Sequence, residues 1–554
     1  MKNQDVIELY YQLAELPSSQ HRAGLAGLVL MIQELSKQAW FEERTGSIIE
    51  LSHLDQYGAK LSVNLEGLKS LFDFTYQSFK EERGTATKIK DYERIEEIET
   101  TDKKGRATTQ KMYYYSVIVP QGAFLSYWDE SDEDINKGLW IKLWRDMLWN
   151  IVRGVPATRN PFNNRCDGQT YIQDSEKIWK DLNQPDKTIG QSGNYYLGAM
   201  ATTADNIPTQ DMIRYQFLLH FAPFVFQIYR PSTINKDGKR EFSSYAIVIP
   251  DVADLKRFCH NLPRVLKERD NTKLGYLPRE CVIDLAEEGA LDIFLLQDRI
   301  ARKTGEQSIR KSILGAEIFH AEKSGNSIKF QSISYIEPIL EITDRYAQIK
   351  DNYWCPWFRK QRLLNLLSFY LNPNNSDEEP TETLPWIGFD ELLSRIPRKW
   401  FEDPYFSHDA RQLFNIEILQ NQGEITMNAQ SSTIRKYAEI VYQVCQSYVL
   451  GKLKSKHGLE WKEYQGNPKK EKEYHEKKTK IANEAFLAVR SRTESQSFID
   501  YFVSTLYPFV KKNEFAQFAD DLFNKTDEIR ALTLLALSSQ FSTSNKEDSE
   551  DKAA

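Results

Sequence analysis

The stretch FLLHFAPFVFQIYRPSTINKDGKREFSSYAIVIPDVADL, residues 217–255, decides the fold class. Two runs rich in β-branched and aromatic residues, Phe217–Tyr229 (interrupted by Pro223) and Phe242–Ile249, flank an Asp237-Gly238 pair. Such runs favour strands, and Asp-Gly supplies the positive φ angles of a tight hairpin turn. The spacing predicts a hairpin whose tip carries Lys236, Lys239 and Arg240. Met112–Val119 (MYYYSVIV) and Ser327–Tyr335 read as further strands, so the middle of the chain bears sheet.

Outward from there the pattern turns helical. Asp5–Leu16, ended by Pro17, reads as one helix. Ser18 and Ser19 cap a second, with Leu25, Leu28, Val29, Ile32 and Leu35 at helical spacing, and Gly24 and Gly27 allow a neighbouring backbone to come close. Helix returns over Pro338–Leu371, before the polar, acidic segment NPNNSDEEPTET. Further on, Ile434, Tyr437, Ala438, Val441, Cys445, Tyr448 and Val449 form one stripe, and Phe498, Phe502, Leu506 and Phe509 lie on another. With ALTLLALSS near the end they make a bundle of four or five helices. The fold class is therefore α+β. A mixed helix and sheet body occupies 1–371, a linker with connecting helices 372–426, an all-α bundle 427–541 and a disordered acidic tail 542–554.

A chain of 554 residues is too long for one core. It has no run of about 18 apolar residues, so no membrane partner is expected. Its start, MKNQDVIELYYQ, lacks the apolar stretch of an export signal. Cys166, Cys259, Cys281, Cys355 and Cys445 are scattered singly, without metal or disulfide spacing, which fits a reducing cytoplasm. The net charge of −7 argues against indiscriminate coating of nucleic acid. Charge is segregated, however: net +2 from Met427 onward and −9 before it. Residues 451–482 hold ten lysines against five glutamates, Lys469, Lys470, Lys477 and Lys478 among them. That run is either a solvated helix face or an electrostatic path for a phosphate backbone.

Catalytic constellations are missing. There is no GxxxxGK[ST], HExxH, GxSxG or strand-linked GxGxxG, and no cofactor or metal site is expected. His408-Asp409 is a dipeptide some metal-dependent nucleases use, but the histidines do not cluster into a ligand set. RGVPATRNPFNNRCDGQTY (residues 153–171) is different. Arg159, Asn160, Asn163, Asn164, Arg165 and Gln169 are of the types that read base edges through paired hydrogen bonds, and prolines stiffen the segment. The same composition also suits a turn whose side chains bond their own backbone. A second basic tip, Lys103, Lys104 and Arg106, precedes the Met112 strand.

Met427 is the only methionine after Met212, and Gln422-Gly423-Glu424 lies just upstream. Codons for Gln-Gly-Glu can contain AAGGAG, which pairs with bacterial ribosomal RNA at a spacing suited to initiation. Met427 is thus either an internal start, giving a 128-residue second product, or a methionine at a boundary.

LPSSQHRAGLAGL, IVRGVPATRNPFNNR, YYLGAMATTADNIP, the 217–255 stretch, ANEAFLAVRSRTESQSFIDYF and EIRALTLLALSSQ together resemble one family. It is the large subunit of the type I CRISPR Cascade complex, in the Myxan-type variant placed with subtype I-B, and the resemblance runs from about residue 10 to 540. It implies a non-catalytic role in RNA-guided DNA targeting. Such a subunit sits beside the handle-binding subunit at the 5′ end of the guide RNA. It reads the protospacer-adjacent motif (PAM) in double-stranded DNA, helps open the R-loop and offers a surface to the helicase-nuclease. The implied partners are the guide RNA, target DNA, the Cascade backbone and handle-binding subunits, and a small subunit that related systems make from an internal start. Two rivals remain open: a nuclease using His408 and Asp409, and the same subunit serving a CRISPR-associated transposon.

Overall fold

The structure is a computed structural model describing residues 6–101, 107–130, 137–152, 159–190, 197, 210–235, 240–305, 312–325, 327–350, 355–371, 386, 388–396, 404–413, 429–464, 466–509 and 515–541. Two compact units divide it: Met1–Thr233 with Glu241–Thr343, and Ile234–Arg240 with Asp344–Ala554. No described helix is long and apolar enough to cross a membrane.

The first unit opens with a strand, not the helix expected over Asp5–Leu16. β1 (Ile7–Gln12) buries Leu9 and Tyr11 and exposes Glu8 and Tyr10, a period of two that short helical matches had masked. It precedes α1 (Ser19–Leu35), capped by the Ser18 side chain, and then β2 (Ile49–Leu54) and β3 (Gly58–Val63). β3 lies between β1 and β2 in an antiparallel sheet. α2 (Leu65–Thr75) leads to a second sheet, where β4 (Ser78–Thr85) and β5 (Arg94–Thr101) flank the long β6 (Ala107–Pro120). After it come the short α3 (Arg159–Asn163), α4 (Gln173–Leu182) and α5 (Ile213–Leu218).

The central sheet is built from β7 (Gln227–Pro231), β8 (Ser244–Val252), β9 (Val282–Ile283), β10 (Ile313–Ser324) and β11 (Ser327–Ile336), in the order β9-β7-β8-β10-β11. β7 and β8 pair antiparallel through Ile228 and Ile247, as the hairpin reading requires; the Asp237-Gly238 turn itself lies outside the described residues. Every residue of β8 is buried, because α1 and α6 (Glu288–Thr304) both pack against it.

Phe217–Tyr229 is only partly strand. α5 takes its first residues, Ala222–Phe224 makes a 3₁₀ turn at Pro223, and β7 begins at Gln227. All of Phe217–Tyr229 is buried, and an apolar run buried all round carries no period that separates strand from helix. α1 needs this non-strand backbone. A Cβ on Gly24 would stand 2.5 Å from the Leu218 carbonyl oxygen, and one on Gly27 would overlap the Phe221 carbonyl. Polar ties fix the start of α1. Arg22 pairs with Asp251 of β8, which also accepts from the Tyr335 hydroxyl of β11 at 2.9 Å, and His21 meets Asp211 at 2.9 Å.

From Asp344 onward the second unit is helical where described. Pro338–Leu371 resolves into Leu340–Lys350 and α7 (Pro356–Leu371). Then come α8 (Phe389–Arg395), α9 (Pro404–Gln412), α10 (Ala429–His457), α11 (Pro468–Arg490), α12 (Ser495–Tyr501), α13 (Phe515–Asn524) and α14 (Thr526–Ser539). α14 is the axis: Ile529 to Gln540 are all buried, and α8 to α13 all pack on it. Its ALTLLALSS is apolar around the whole circumference, the signature of an enclosed helix. One core runs from Cys355 to Phe541, joining Phe389, Leu393, Phe406 and Leu413 to the α10, α11 and α14 side chains.

Candidate nucleic-acid interface

The described part of the polar segment, residues 159–171, is tied into a knot around Arg165, which is only 2% exposed. Its Nε donates to Asp73 of α2 at 2.9 Å, and Nη1 and Nη2 donate to the two Asp174 oxygens of α4 at 2.7 and 2.8 Å. The Pro161 and Tyr171 carbonyls accept further bonds at 3.2 and 3.1 Å. Burial works against the cation, but Asp174 and Asp73 outweigh it and the guanidinium is held charged. This corrects the base-reading assignment of Arg165: its donors are already spent inside the protein, and it anchors the segment instead.

The other polar residues fare differently. Asn160, Asn163, Asn164 and Gln169 are exposed; the backbone of Arg159 begins α3. Their backbone is tied down from below. The Ser78 hydroxyl donates to the Phe162 carbonyl at 2.6 Å, and Lys80 of β4 pairs with Asp167 at 3.0 Å. Asp167 and Gly168 both take left-handed conformations, with φ of 69° and 74°, closing the turn that presents Gln169. Beneath the knot, Tyr76 shares a 2.6 Å hydrogen bond with buried His220, whose imidazole is pushed down to about 3 by burial and by Arg165. The result is a set of exposed amides on a backbone that cannot move freely.

Lys103, Lys104, Arg106, Lys236, Lys239 and Met427 lie outside the described residues; Arg240 is half-buried. The lysine run is on α11, but not as one strip. Lys469, Lys470 and Lys480 are exposed and Lys477 half-exposed. Lys478 stands four residues after buried Tyr474 and three before buried Ile481, which places it on the inward side. Burial, and then Arg411 of α9, push its ammonium down to about 8. Lys478 is therefore corrected out of the outer strip, and Lys480 takes its place. Trp461 of the short helix Trp461–Tyr464 packs its ring 5.2 Å from Tyr474 and 5.3 Å from His475 of α11. Sequence reasoning missed this group and the Asp73 and Asp174 anchors. A tryptophan inside a lysine-rich run was the available signal for the first; the second depends on long-range packing.

Asp409 is fully buried, and its Oδ2 accepts the Cys355 N–H at 2.9 Å while Oδ1 stands 3.3 Å from His408. Burial raises its carboxyl group, opposed by His408 and that N–H. Among the described residues no group of His, Cys, Asp and Glu could hold a metal ion.

Two family models match the chain. The type I-B CRISPR Cas8b N-terminal domain covers residues 48–306, and the Cas8b C-terminal domain covers 313–540. The chain belongs to the Cas8b family. It is a type I-B CRISPR large subunit, a member of a CRISPR effector complex. The N-terminal Cas8b match contains the Arg165 knot with all its anchors, and the C-terminal match contains α9, Trp461 and α11. A search of curated proteins finds no match.

Proposed function

We propose that this Cas8b-family chain reads the PAM in double-stranded DNA through Asn160, Asn163, Asn164 and Gln169, and promotes R-loop opening. Asn and Gln pair bidentately with adenine in the major groove. Amides held on a braced backbone lose little freedom on binding, which favours contact with a short motif. The exposed amides seated on the buried Arg165 anchor are the observation that carries this reading. Guide pairing supplies most of the specificity, and exchanging duplex for hybrid is nearly balanced, so a few contacts tip it. The outer lysines of α11 would then track the displaced strand.

In this reading the chain has no catalytic role and works with the guide RNA, the backbone and handle-binding subunits and a helicase-nuclease. A second product beginning at Met427 would supply small subunits. The deciding experiment uses the assembled complex with Asn163→Ala and Asn164→Ala, leaving Arg165 intact. Binding to duplex targets with the correct PAM weakens by about 1–3 kcal/mol per lost base contact, whereas binding to a single-stranded complementary target is unchanged. Equal loss on both targets refutes the assignment.

A further inference from the structure

We propose that the outer edge of β5 takes an added strand from another protein subunit of the effector complex, an extended segment with Lys or Arg at alternate positions facing Glu97 and Glu99. The proposal is independent of the amide reading of the PAM, because the Arg165 knot is tied to β4, the opposite edge of this sheet.

The two edges of the sheet differ. The flank of β4 is occupied, since Ser78 and Lys80 hold Phe162 and Asp167, whereas β5 pairs with β6 and with no other described strand. Residues 91–99 are all exposed, Ile95 to 44% and Ile98 to 36%. An open edge presents a row of unpaired N–H and C=O groups, and proteins usually blunt one with lysine, proline or a bulge. β5 uses none of these: it follows β6 in unbroken register and contains neither Lys nor Pro. Its charges are Arg94, Glu96, Glu97 and Glu99. Arg94 is spent within the sheet, pairing with Glu82 at 2.6 Å and with Glu96 while lying 3.9 Å over the Tyr114 ring. Glu97 has one loose contact, 3.5 Å to an equally exposed Lys111. Glu97 and Glu99 share a face with Ile95, and Ile98 lies on the other. These charges choose the occupant. A second copy of the chain is disfavoured: antiparallel pairing along the whole strand sets Glu96 opposite Glu99, and parallel pairing in register sets each glutamate against itself. A phosphate backbone would meet like charge. The chain belongs to a CRISPR effector complex, and protein surfaces that hold nucleic acid in such a complex are basic because they neutralise phosphates. The flank of such a subunit complements β5, with main-chain bonds giving affinity and alternate side chains giving register.

The test compares the full chain alone with the assembled effector complex. Amide exchange over residues 94–101 slows roughly tenfold or more on assembly, the effect of about one or two added backbone hydrogen bonds, and it does so before target DNA is added. Ile98→p-benzoylphenylalanine, irradiated in the complex, joins β5 to another protein, and the cross-linked peptide carries basic residues at alternate positions. Glu97→Lys with Glu99→Lys lowers retention of the chain in the complex roughly 5-fold or more, since each site exchanges an attractive cross-strand pair for a repulsive one. The unfolding midpoint of that variant stays at the wild-type value because both side chains are exposed, so lost retention is not lost folding. Glu97→Gln with Glu99→Gln falls between the two. Unaltered retention of the charge-reversed variant overturns the proposal, as do β5 amides that exchange as fast in the complex as in the chain alone. A cross-link from position 98 to guide RNA, to DNA or to a second copy of this chain overturns it as well.

Discussion

Arg165 and His220 show how two buried residues of the first unit brace an exposed surface from within. Removing the guanidinium would leave Asp174 without its ion pair and Asp73 with Arg44 alone. Because Asp174 is partly exposed, the loss falls below the about 3–5 kcal/mol of a fully buried pair broken from one side. Arg165 was legible as a candidate because its type suits base reading; its partners, 92 and 9 residues away, were not. His220 carries a pH prediction. Its folded value of about 3 lies below the ordinary 6.5, so between those values the unfolded chain binds a proton that the folded one does not. The contribution is full above pH 6.5 and is lost as pH falls towards 3, at no more than about 1.4 kcal/mol per pH unit. Denaturation midpoints from pH 7.5 to 4 therefore fall more steeply in wild type than in His220→Gln. Parallel profiles would contradict it.

At the scale of elements, α11 separates what a sequence can and cannot place. Its helicity and its charge were readable, since the stripe from Tyr474 through Ile481 to Val489 recurs at helical spacing. Which lysines face outward depends on the phase of the buried stripe, and that phase is set by α14 and α10. Glutamine at Lys469, Lys470, Lys477 and Lys480 should flatten the salt dependence of target binding and reduce strand opening, with PAM preference unchanged. An unaltered slope would identify a solvated face. The same limit explains Phe217–Tyr229. Its composition was legible, but the close approach of Gly24 and Gly27 requires 3₁₀ and helical backbone where residue types favoured strand. At β1 the alternation was present over only six residues and a helical pattern competed with it.

At the scale of the whole chain, the α+β class and the helical second half followed from residue patterns, because periodicity extends over long segments. A product beginning at Met427 would have to meet a physical condition the sequence did not reveal. The core of the second unit includes Phe389, Leu393, Phe406, Ala410 and Leu413, all upstream of Met427. A 128-residue product, about 15 of the chain's 64.6 kDa, would lack them and expose the apolar side of α14 that α8 and α9 cover. Expression of the native gene should yield this fragment bound to another chain or to itself, and Met427→Leu should abolish it while full-length protein persists. Intact-mass analysis showing no fragment, or a fragment that is a stable lone monomer, would oppose one or the other half of the expectation.

The enclosed position of α14 also sets an order of events during synthesis. The helix around which the second unit closes is the last one the ribosome makes among those described. α8 to α13 emerge earlier, and the parts of their apolar faces that pack on α14 stay uncovered until it is made. The first unit can complete its sheets while translation continues, whereas the helical unit must wait in an open state. Its nascent helices are therefore the stretch of this chain most in need of a chaperone, and a ribosome stalled before Thr526 would hold a finished first unit tethered to an unfinished second.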